Sequence, residues 1–365
     1  LRIAFVLLGS LDRVSGGFLY DRMLVDRLRA RGHTVDVVPL PWASRARAVA
    51  SNLRPLPRAL ASADVVIEDE LCHAAVFARN RQLRRAGIPV VALVHNLADI
   101  HIASRDGDRA PGTALERRYL RTVDGIVAVC ESTLRDARAP LERDVPAIVA
   151  RAGRDHLPPT RPSAAAVAKR ARTRGPLRVL VSAAVIPGKG LHRLLEAIAR
   201  ASTSTSTATS ALTLDVAGAL DADRAYVRKV SALVARLGLG ARVRLHGLLR
   251  GDALWALYGR SHVLALPSDR EAYPLAAVEA LGFGLPVLVT DRGGAREVLG
   301  DGPQGRSLAP DDVAAWAAAL AAFAGDRAGL ARAGRAALAR FASLGSWDDV
   351  ASGVEALCAR VVVRR

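Results

Sequence analysis

The chain has few cysteines, lysines and aromatic residues and no long apolar run, and each shortage removes a class of explanation. Its three cysteines, Cys72, Cys130 and Cys358, are odd in number and widely spaced, which argues against a disulfide framework and against a metal knuckle. A reducing, cytoplasmic compartment is the expectation that follows. Aromatic residues make up 4% of the chain and the basic residues are dispersed, so no stacking platform for nucleic acid is visible and nucleic acid is not an expected partner. No apolar run approaches the roughly 20 residues of a spanning helix. The run 3–8 is short for a signal sequence and leads into a glycine-containing loop and a helix, so it reads as a buried first strand. The Gly-x-Gly-x-x-Gly dinucleotide fingerprint is missing, and so is the Walker pattern, which argues against NAD, FAD and P-loop chemistry.

What remains is a long, apolar, basic chain. Its 365 residues exceed the size at which single cores stop growing, and two domains are expected. Hydrophobic residues make up 51%, enough for sizeable cores. The net charge is +17, carried almost wholly by arginine; the lysines are Lys169, Lys189 and Lys229. A biased base composition would produce the same excess. A surface so charged would nonetheless attract phosphorylated small molecules or the acidic inner leaflet of a membrane.

The richest stretch is 263–297. Residues 263–266 form a short apolar run, as a strand buried on both faces would. A polar loop with Asp269, Arg270 and Glu271 follows, then Pro274, suited to a first helical turn because its missing N–H is needed least there. An Ala/Leu-rich segment 275–281 ends at Gly282 and Gly284, where a C-terminal cap favours glycine. Residues 287–289 return to the sheet. The pattern predicts a β-α-β unit whose charged loop lies at the carboxyl end of a strand, where open α/β sheets bind ligands. Glu271 sits in that loop and Glu279 about one turn into the helix. Carboxylates accept from sugar hydroxyls, and a helix N-terminus, here from Leu275, accepts anions. On spacing alone, solvated surface is the favoured reading of both glutamates, since carboxylates are common and usually exposed.

The remainder repeats the alternation. A strand at 3–8, Gly16-Gly17 and a helix with Leu19, Met23, Leu24 and Leu28 at helical spacing lead to a strand at 35–38. The glycine pair removes Cβ atoms where the backbone comes close to something, or simply makes a tight turn. Further strands are predicted at 64–67, 90–94, 126–129 and 147–150, the second ending in His95-Asn96 and the third leading to a helix capped by Ser132. His95 lies at the ligand-bearing end of its strand, although a lone histidine there is also compatible with a structural role. Residues 156–176, rich in proline, alanine and arginine, read as a connection. A strand at 179–181 then precedes Ile186-Pro187-Gly188-Lys189-Gly190 and a helix at 191–201. A lysine in a glycine-flanked loop at a helix start combines charge with backbone amides and suits phosphate. The Ser/Thr-rich run 202–210 reads as a loop. Strands at 212–217 and 243–247 and helices at 227–237, 311–322, 329–341 and 350–361 complete the chain.

Taken together, Pro267-Ser268, Glu271-Ala272-Tyr273-Pro274-Leu275, Glu279-Ala280, Gly284-Leu285-Pro286-Val287 and Gly293-Gly294 resemble the signature of the family-4 retaining glycosyltransferases of the GT-B fold. Ala272 stands where that family prefers glycine, and Ala184 stands five residues before Lys189 where the family often has arginine. The resemblance implies an α/β, GT-B architecture of two Rossmann-like parallel-sheet domains facing a cleft. The corresponding boundaries are an acceptor-binding domain at 1–155, a linker at 156–176, a nucleotide-sugar domain at 177–345 and a terminal helix at 346–365 crossing back to the first domain.

It further implies transfer of a sugar from a nucleotide-sugar to an acceptor hydroxyl with retention. In that picture Lys189 neutralises the donor diphosphate and Glu271 holds donor sugar hydroxyls. Glu279 holds ribose, and Tyr273, Pro274 and Leu275 supply backbone near sugar and phosphate. His95 lies close to the transferred sugar, and Gly16 and Gly17 face donor phosphate or acceptor. No carboxylate in the first domain stands out as a nucleophile, so a front-face route is expected. No cofactor or metal is expected: Asp106-Gly107-Asp108 and Asp221-Ala222-Asp223 match a metal-binding Asp-x-Asp by letter only. The competing expectations are a nucleotide-sugar-binding protein without turnover, to which Ala184 points, and a membrane- or polyanion-binding scaffold, to which the charge points.

Overall fold

The computed structural model describes residues 1–97, 111–203 and 212–364. Asp106-Gly107-Asp108 and most of the Ser/Thr-rich run lie outside them. The chain divides into two compact units: Leu1–His156 with Gly345–Arg365, and Leu157–Leu344.

Unit one is built on six parallel strands: β1 (Arg2–Leu8), β2 (Thr34–Leu40), β3 (Val65–Asp69), β4 (Val90–Val94), β5 (Gly125–Ala128) and β6 (Ala147–Val149). Their order is β2-β1-β3-β4-β5-β6. The central strands are apolar on both faces because helices cover both. Ala4, Val6, Val66, Val90, Ala92 and Val94 share one layer with Leu83, Tyr119 and Leu120. The intervening Phe5, Ile67 and Val91 are buried as well. Helix Trp347–Val363 packs on helix Gly16–Ala30 and on β5 and β6. A capping box at Ser346 and Asp349 starts it, satisfying two amides at the helix start that would otherwise lack partners.

Unit two repeats the plan with β7 (Leu177–Ser182), β8 (Leu212–Ala217), β9 (Val243–Gly247), β10 (Val263–Leu266), β11 (Val287–Thr290) and β12 (Gly305–Leu308). All pair in parallel in the order β12-β11-β10-β7-β8-β9. Val179 and Val181 face a layer with Leu194, Leu195, Ile198, Trp316 and Leu320. Leu180 faces the opposite layer with Val278, Leu281 and Phe283, so the period-two alternation of one strand feeds two cores. Burying each such side chain contributes about 1.5–3 kcal/mol.

Three local expectations change. The stretch 156–176 contains helix Ala164–Arg172, with Val167 buried and Arg170 donating to the Gly259, Phe283 and Gly284 carbonyls. It is packed structure within unit two, because alanine favours helix and the arginine finds unpaired loop carbonyls. Helix Glu131–Arg138 is capped by Cys130 rather than Ser132, the sulfur accepting from the Thr133 amide at 3.4 Å; Cys130 holds the extended backbone a cap needs. Strand β12 has no counterpart in the sequence reading, because Gly305–Leu308 is short and half polar. Asp223, of the second Asp-x-Asp match, caps helix Arg224–Arg236 by accepting from the Tyr226 amide at 2.8 Å.

Both sheets reverse their winding once, between β1 and β3 in unit one and between β7 and β10 in unit two. Loops diverge there and leave a crevice at the carboxyl ends of the strands.

Candidate active site

In unit two, the loops after β7 and β10 meet at the reversal. The first carries the short turn Pro187–Lys189, closed by Gly190 at φ 67°. A Cβ on Gly190 would stand 2.0 Å from the Pro267 carbonyl oxygen, so the two backbones approach only because that residue is glycine. The Asp269 amide then donates to the Gly188 carbonyl at 2.8 Å. Lys189 is thereby brought onto Glu271: its Nζ donates to Oε1 at 2.6 Å, and Ser268 Oγ donates to the same oxygen at 2.5 Å. Glu271 is 8% exposed.

The Gly293-Gly294 loop holds the main chain of Glu271. Its amide donates to the Arg292 carbonyl at 3.1 Å, and its carbonyl accepts from the Gly294 amide at 2.8 Å. Gly293 is at φ 94°, with room for no Cβ beside the Glu271 carbonyl. Arg193 braces the loop, donating to Asp269 Oδ1 at 2.6 Å, Asp311 Oδ1 at 2.7 Å and the Pro267 carbonyl at 3.1 Å.

Tyr273, Pro274 and Leu275 connect this loop to helix Leu275–Gly282, with Pro274 as its N-cap residue. On that helix Glu279 is buried, its Oε2 accepting from Tyr258 Oη at 2.6 Å. Burial, and then the Glu279 carboxylate, push the Tyr258 phenol well above its ordinary range, so it stays a donor. The arrangement is two buried carboxylates, a lysine on one of them and a helix start between, suited to a polyhydroxylated anion.

Unit one carries a second cluster at its own reversal. His95 follows β4. Its Nε2 lies 2.9 Å from Asp21 Oδ1 and 3.8 Å from Asp69 Oδ2. Glu70 accepts from the amides of His95 at 3.0 Å and Asn96 at 3.2 Å. The Tyr20 ring meets the imidazole edge-on at 5.0 Å, and its hydroxyl donates to the Ala150 carbonyl at 2.8 Å. A Cβ on Gly17 would lie 3.6 Å from the His95 ring, an ordinary van der Waals contact, so Gly17 lies beside this imidazole without glycine being required there; Gly16 opens helix Gly16–Ala30 behind the Ser15 cap.

Burial alone would lower the His95 pKa, but Asp21 and then Glu70 outweigh it and push it up to about 10. The ring is an imidazolium at neutral pH. Burial raises the carboxyls of Asp69 and Glu70 above their ordinary range. Among the described residues, Asp21, Asp69 and His95 offer three ligand atoms within 4.8 Å of one another. The 2.9 Å Nε2···Oδ1 contact is a hydrogen-bond distance, and an ion there would have to displace that proton.

The profile "Glycosyl transferases group 1" matches residues 165–340, and the profile "Glycosyltransferase Family 4" matches residues 15–149. The chain belongs to glycosyltransferase family 4. The D-inositol 3-phosphate glycosyltransferase of Streptomyces avermitilis is 31% identical over 74% of this chain and 60% of the relative. The MMP alpha-(1->4)-mannosyltransferase of Mycolicibacterium hassiacum is 29% identical over 51% of this chain and 43% of the relative. This family-4 chain thus spans less than two thirds of the length of these curated relatives.

Solved structures establish the fold. Sucrose-phosphate synthase from Thermosynechococcus elongatus superposes with a TM-score of 0.81 at 18% identity, covering 100% of this chain and 99% of that one. Anabaena HepE in complex with UDP-glucose gives 0.75 at 17% identity over 100% and 99%. The family-4 chain therefore has the GT-B fold of two Rossmann-like domains.

Of the residues singled out from sequence, Lys189 and Glu271 touch, and Glu279 follows on the adjoining helix. His95 and Gly17 meet in unit one. Three carboxylates there escaped the sequence reading, which found no first-domain carboxylate of note: Asp21, Asp69 and Glu70. Two signals pointed to them. Asp21 stands on the buried stripe with Leu24, Val25 and Leu28 of its helix, and Glu68-Asp69-Glu70 continues a wholly buried strand.

Proposed function

We propose that this chain is a retaining glycosyltransferase that moves a sugar from a nucleotide-sugar to an acceptor hydroxyl, without a metal. The observation that carries the proposal is the 2.6 Å contact of Lys189 with Glu271 at the β7/β10 reversal. It puts a cation and a hydroxyl acceptor within one ligand's reach, beside the helix that carries Glu279. A donor would exchange that contact for two others: Lys189 on the diphosphate and Glu271 on sugar hydroxyls. Glu279, its orientation fixed by Tyr258, would take ribose hydroxyls, and Tyr273, Pro274 and Leu275 would line the passage between. HepE was crystallised with UDP-glucose, which supports a donor of this class.

Negative charge builds on the leaving diphosphate as the glycosidic bond breaks, and Lys189 stabilises it there. In a front-face route the acceptor oxygen bonds to the anomeric carbon on the face the diphosphate leaves, and its proton passes to the departing phosphate oxygen. His95, with the surrounding carboxylates, would line the acceptor side. An acceptor carried by an anionic membrane fits the net charge of +17; among the described residues no helix is long and apolar enough to cross a bilayer.

A second reading, donor binding without turnover, draws on Ala184, which offers a methyl group where the family often has a guanidinium, while Arg193 is committed to Asp269 and Asp311. The test is a thermal-shift screen of UDP-, GDP- and ADP-sugars, followed by product NMR with the stabilising donor. An α-donor yielding an α-product supports the proposal. Inverted product overturns retention, and stabilisation without transfer or hydrolysis favours the second reading.

A further inference from the structure

Unit two carries a second polar cluster, at the end of its sheet opposite Lys189 and Glu271. Arg178 stands at the amino end of β7, and His262 directly precedes β10. Two bonds tie them. The His262 amide donates to the Arg178 carbonyl at 2.8 Å, and the Arg178 amide donates to His262 Nδ1 at 3.0 Å. A backbone N–H only donates, so Nδ1 is the acceptor and the ring proton sits on Nε2. That proton goes to the Arg170 carbonyl, 3.1 Å away. Arg178 Nη2 lies 3.0 Å from the same Nε2, where it meets a donor rather than an acceptor.

Three more guanidiniums surround this pair. Arg170 is committed to the Gly259, Phe283 and Gly284 carbonyls. Arg260 donates to Asp215 at 3.3 Å, and its carbonyl accepts from Arg178 Nε. Arg327, at the start of helix Arg327–Ala342, donates from Nη2 to the Gly175 carbonyl at 2.7 Å. Its Nη1 is buried with no acceptor among the described residues. Two donors, Arg178 Nη2 and Arg327 Nη1, are thus left over once the bonds that hold the fold are counted. The acids at hand are engaged: Asp215 Oδ1 also lies 2.6 Å from His246 Nε2. Asp326, beside Arg327 in sequence, accepts from the Gly329 amide at 2.6 Å and pairs with Arg332 at 3.3 Å.

The consequence is mutual repulsion. Burial and then Arg178 lower the pKa of Arg170 to about 10 and lower that of Arg327 as well. Burial, then Arg178 and Arg327, push His262 down to about 3, so the imidazole is neutral and adds no charge of its own.

We propose that Arg178 and Arg327 bind a phosphate dianion, free or as a phosphomonoester, at this amino end of unit two. Guanidinium groups pair with phosphate oxygens through charge-assisted bonds, and a dianion offsets more of the repulsion than a carboxylate would. Both arginines are half-buried, so the ligand reaches them from solvent. The site is separate from the donor loops: β7 covers about 13 Å from Arg178 to Ser182 before the loop with Lys189 begins. It uses none of the residues that carry the proposed transfer.

The test is thermal denaturation and ring-nitrogen NMR of the full chain with inorganic phosphate and, in a parallel arm, glycerol phosphate, each against chloride at matched ionic strength. A saturable rise in thermal midpoint is expected, with a shift of the His262 ring signals. Response to both ligands assigns a phosphomonoester site; response to phosphate alone assigns a site for the free ion. Arg327→Gln should weaken binding about tenfold or more, Arg327→Lys should restore part of it, and Lys189→Ala should leave it as in the parent. The His262 signal is read on the parent, so the test stands whether or not a variant folds. No response beyond that to chloride overturns the proposal, as does a His262 signal that ignores phosphate. A response that survives Arg327→Gln, or that disappears in Lys189→Ala and so belongs to the donor loop, also overturns it. Neither readout involves a sugar donor, so failure here is distinguishable from failure of the transferase reading.

Discussion

Replacing Asp21 by asparagine tests the electrostatics of the unit-one cluster with a sign fixed in advance. His95 has its pKa raised to about 10 in the folded chain, against about 6.5 when unfolded. A group raised in this way contributes stability that is fully present below the unfolded value and is lost as pH rises through the folded one. Between those values the folded state holds one more proton, and unfolding free energy falls by about 1.4 kcal/mol per pH unit.

The useful window is narrow. Glu68, raised to about 7 by burial, loses its own contribution as pH rises from the ordinary carboxylate range through about 7, and adds little slope above that. Cys72, raised well above its ordinary value mainly by burial, adds a slope of the same sign only near the ordinary thiol range. From about pH 7 to 8.5 His95 contributes a loss of about 2 kcal/mol in the parent, and Asp69, raised well above its ordinary value mainly by burial, adds a slope of the same sign. Asp21→Asn removes the carboxylate 2.9 Å from Nε2 while keeping the shape, so the histidine returns toward its ordinary range and most of its slope should vanish. Urea denaturation at several pH values measures the slope, and ring-nitrogen NMR titration of His95 measures the pKa directly. A parent whose stability is flat over the window, or a variant with the parent's slope and the parent's His95 titration, would refute the reasoning.

The remaining predictions concern unit two and the metal. Lys189→Ala should lower turnover about 10²–10³-fold with little change in thermal midpoint, as loss of one group facing developing charge does; steady-state kinetics with the donor found by the thermal screen would show it. Glu279→Gln retains an acceptor for Tyr258 but loses the charge, and should weaken donor binding about tenfold or more while changing kcat less, measured by calorimetry alongside KM. Gly190→Ala places a Cβ 2.0 Å from the Pro267 carbonyl oxygen at φ 67°, and should cost at least about 2 kcal/mol of stability, read by denaturant midpoint. Chelation with EDTA should leave turnover unchanged; a loss restored by Mn²⁺ or Zn²⁺ would move Asp21, Asp69 and His95 from hydrogen-bonded cluster to metal site.

The parts legible in the sequence were those in which one residue type solves one local problem. Apolar runs became central strands because both faces of each sheet are covered. Gly190, read as flanking a phosphate loop, and Gly293, read as part of the family signature, lie at backbone contacts that exclude a Cβ, and they bracket the loop that holds Glu271. The parts that were not legible depend on distant partners. Nothing near Asp21 in sequence announces His95, which lies across the sheet on the loop after β4. A connection rich in alanine and arginine became packed helix because Arg170 found the Phe283 and Gly284 carbonyls, more than a hundred positions further along. β12 was hidden because an edge strand needs less apolar sequence than a central one.

The two clusters differ in a way that bears on mechanism. In unit two, Lys189 and Glu271 neutralise each other at a side-chain exposure of 31% for the lysine, so a ligand bearing both phosphate and hydroxyls can separate them at modest cost and satisfy each. A ligand with only one of these groups would leave the other partner uncompensated in a partly buried place. On the proposed reading the pair would favour donors that carry diphosphate and sugar together over free sugars. In unit one, by contrast, Asp21 is fully buried and no small ligand replaces it at His95 without leaving a buried charge unpaired. On the proposed reading that cluster would keep its charges in place through the reaction, and the unit-two pair would exchange them.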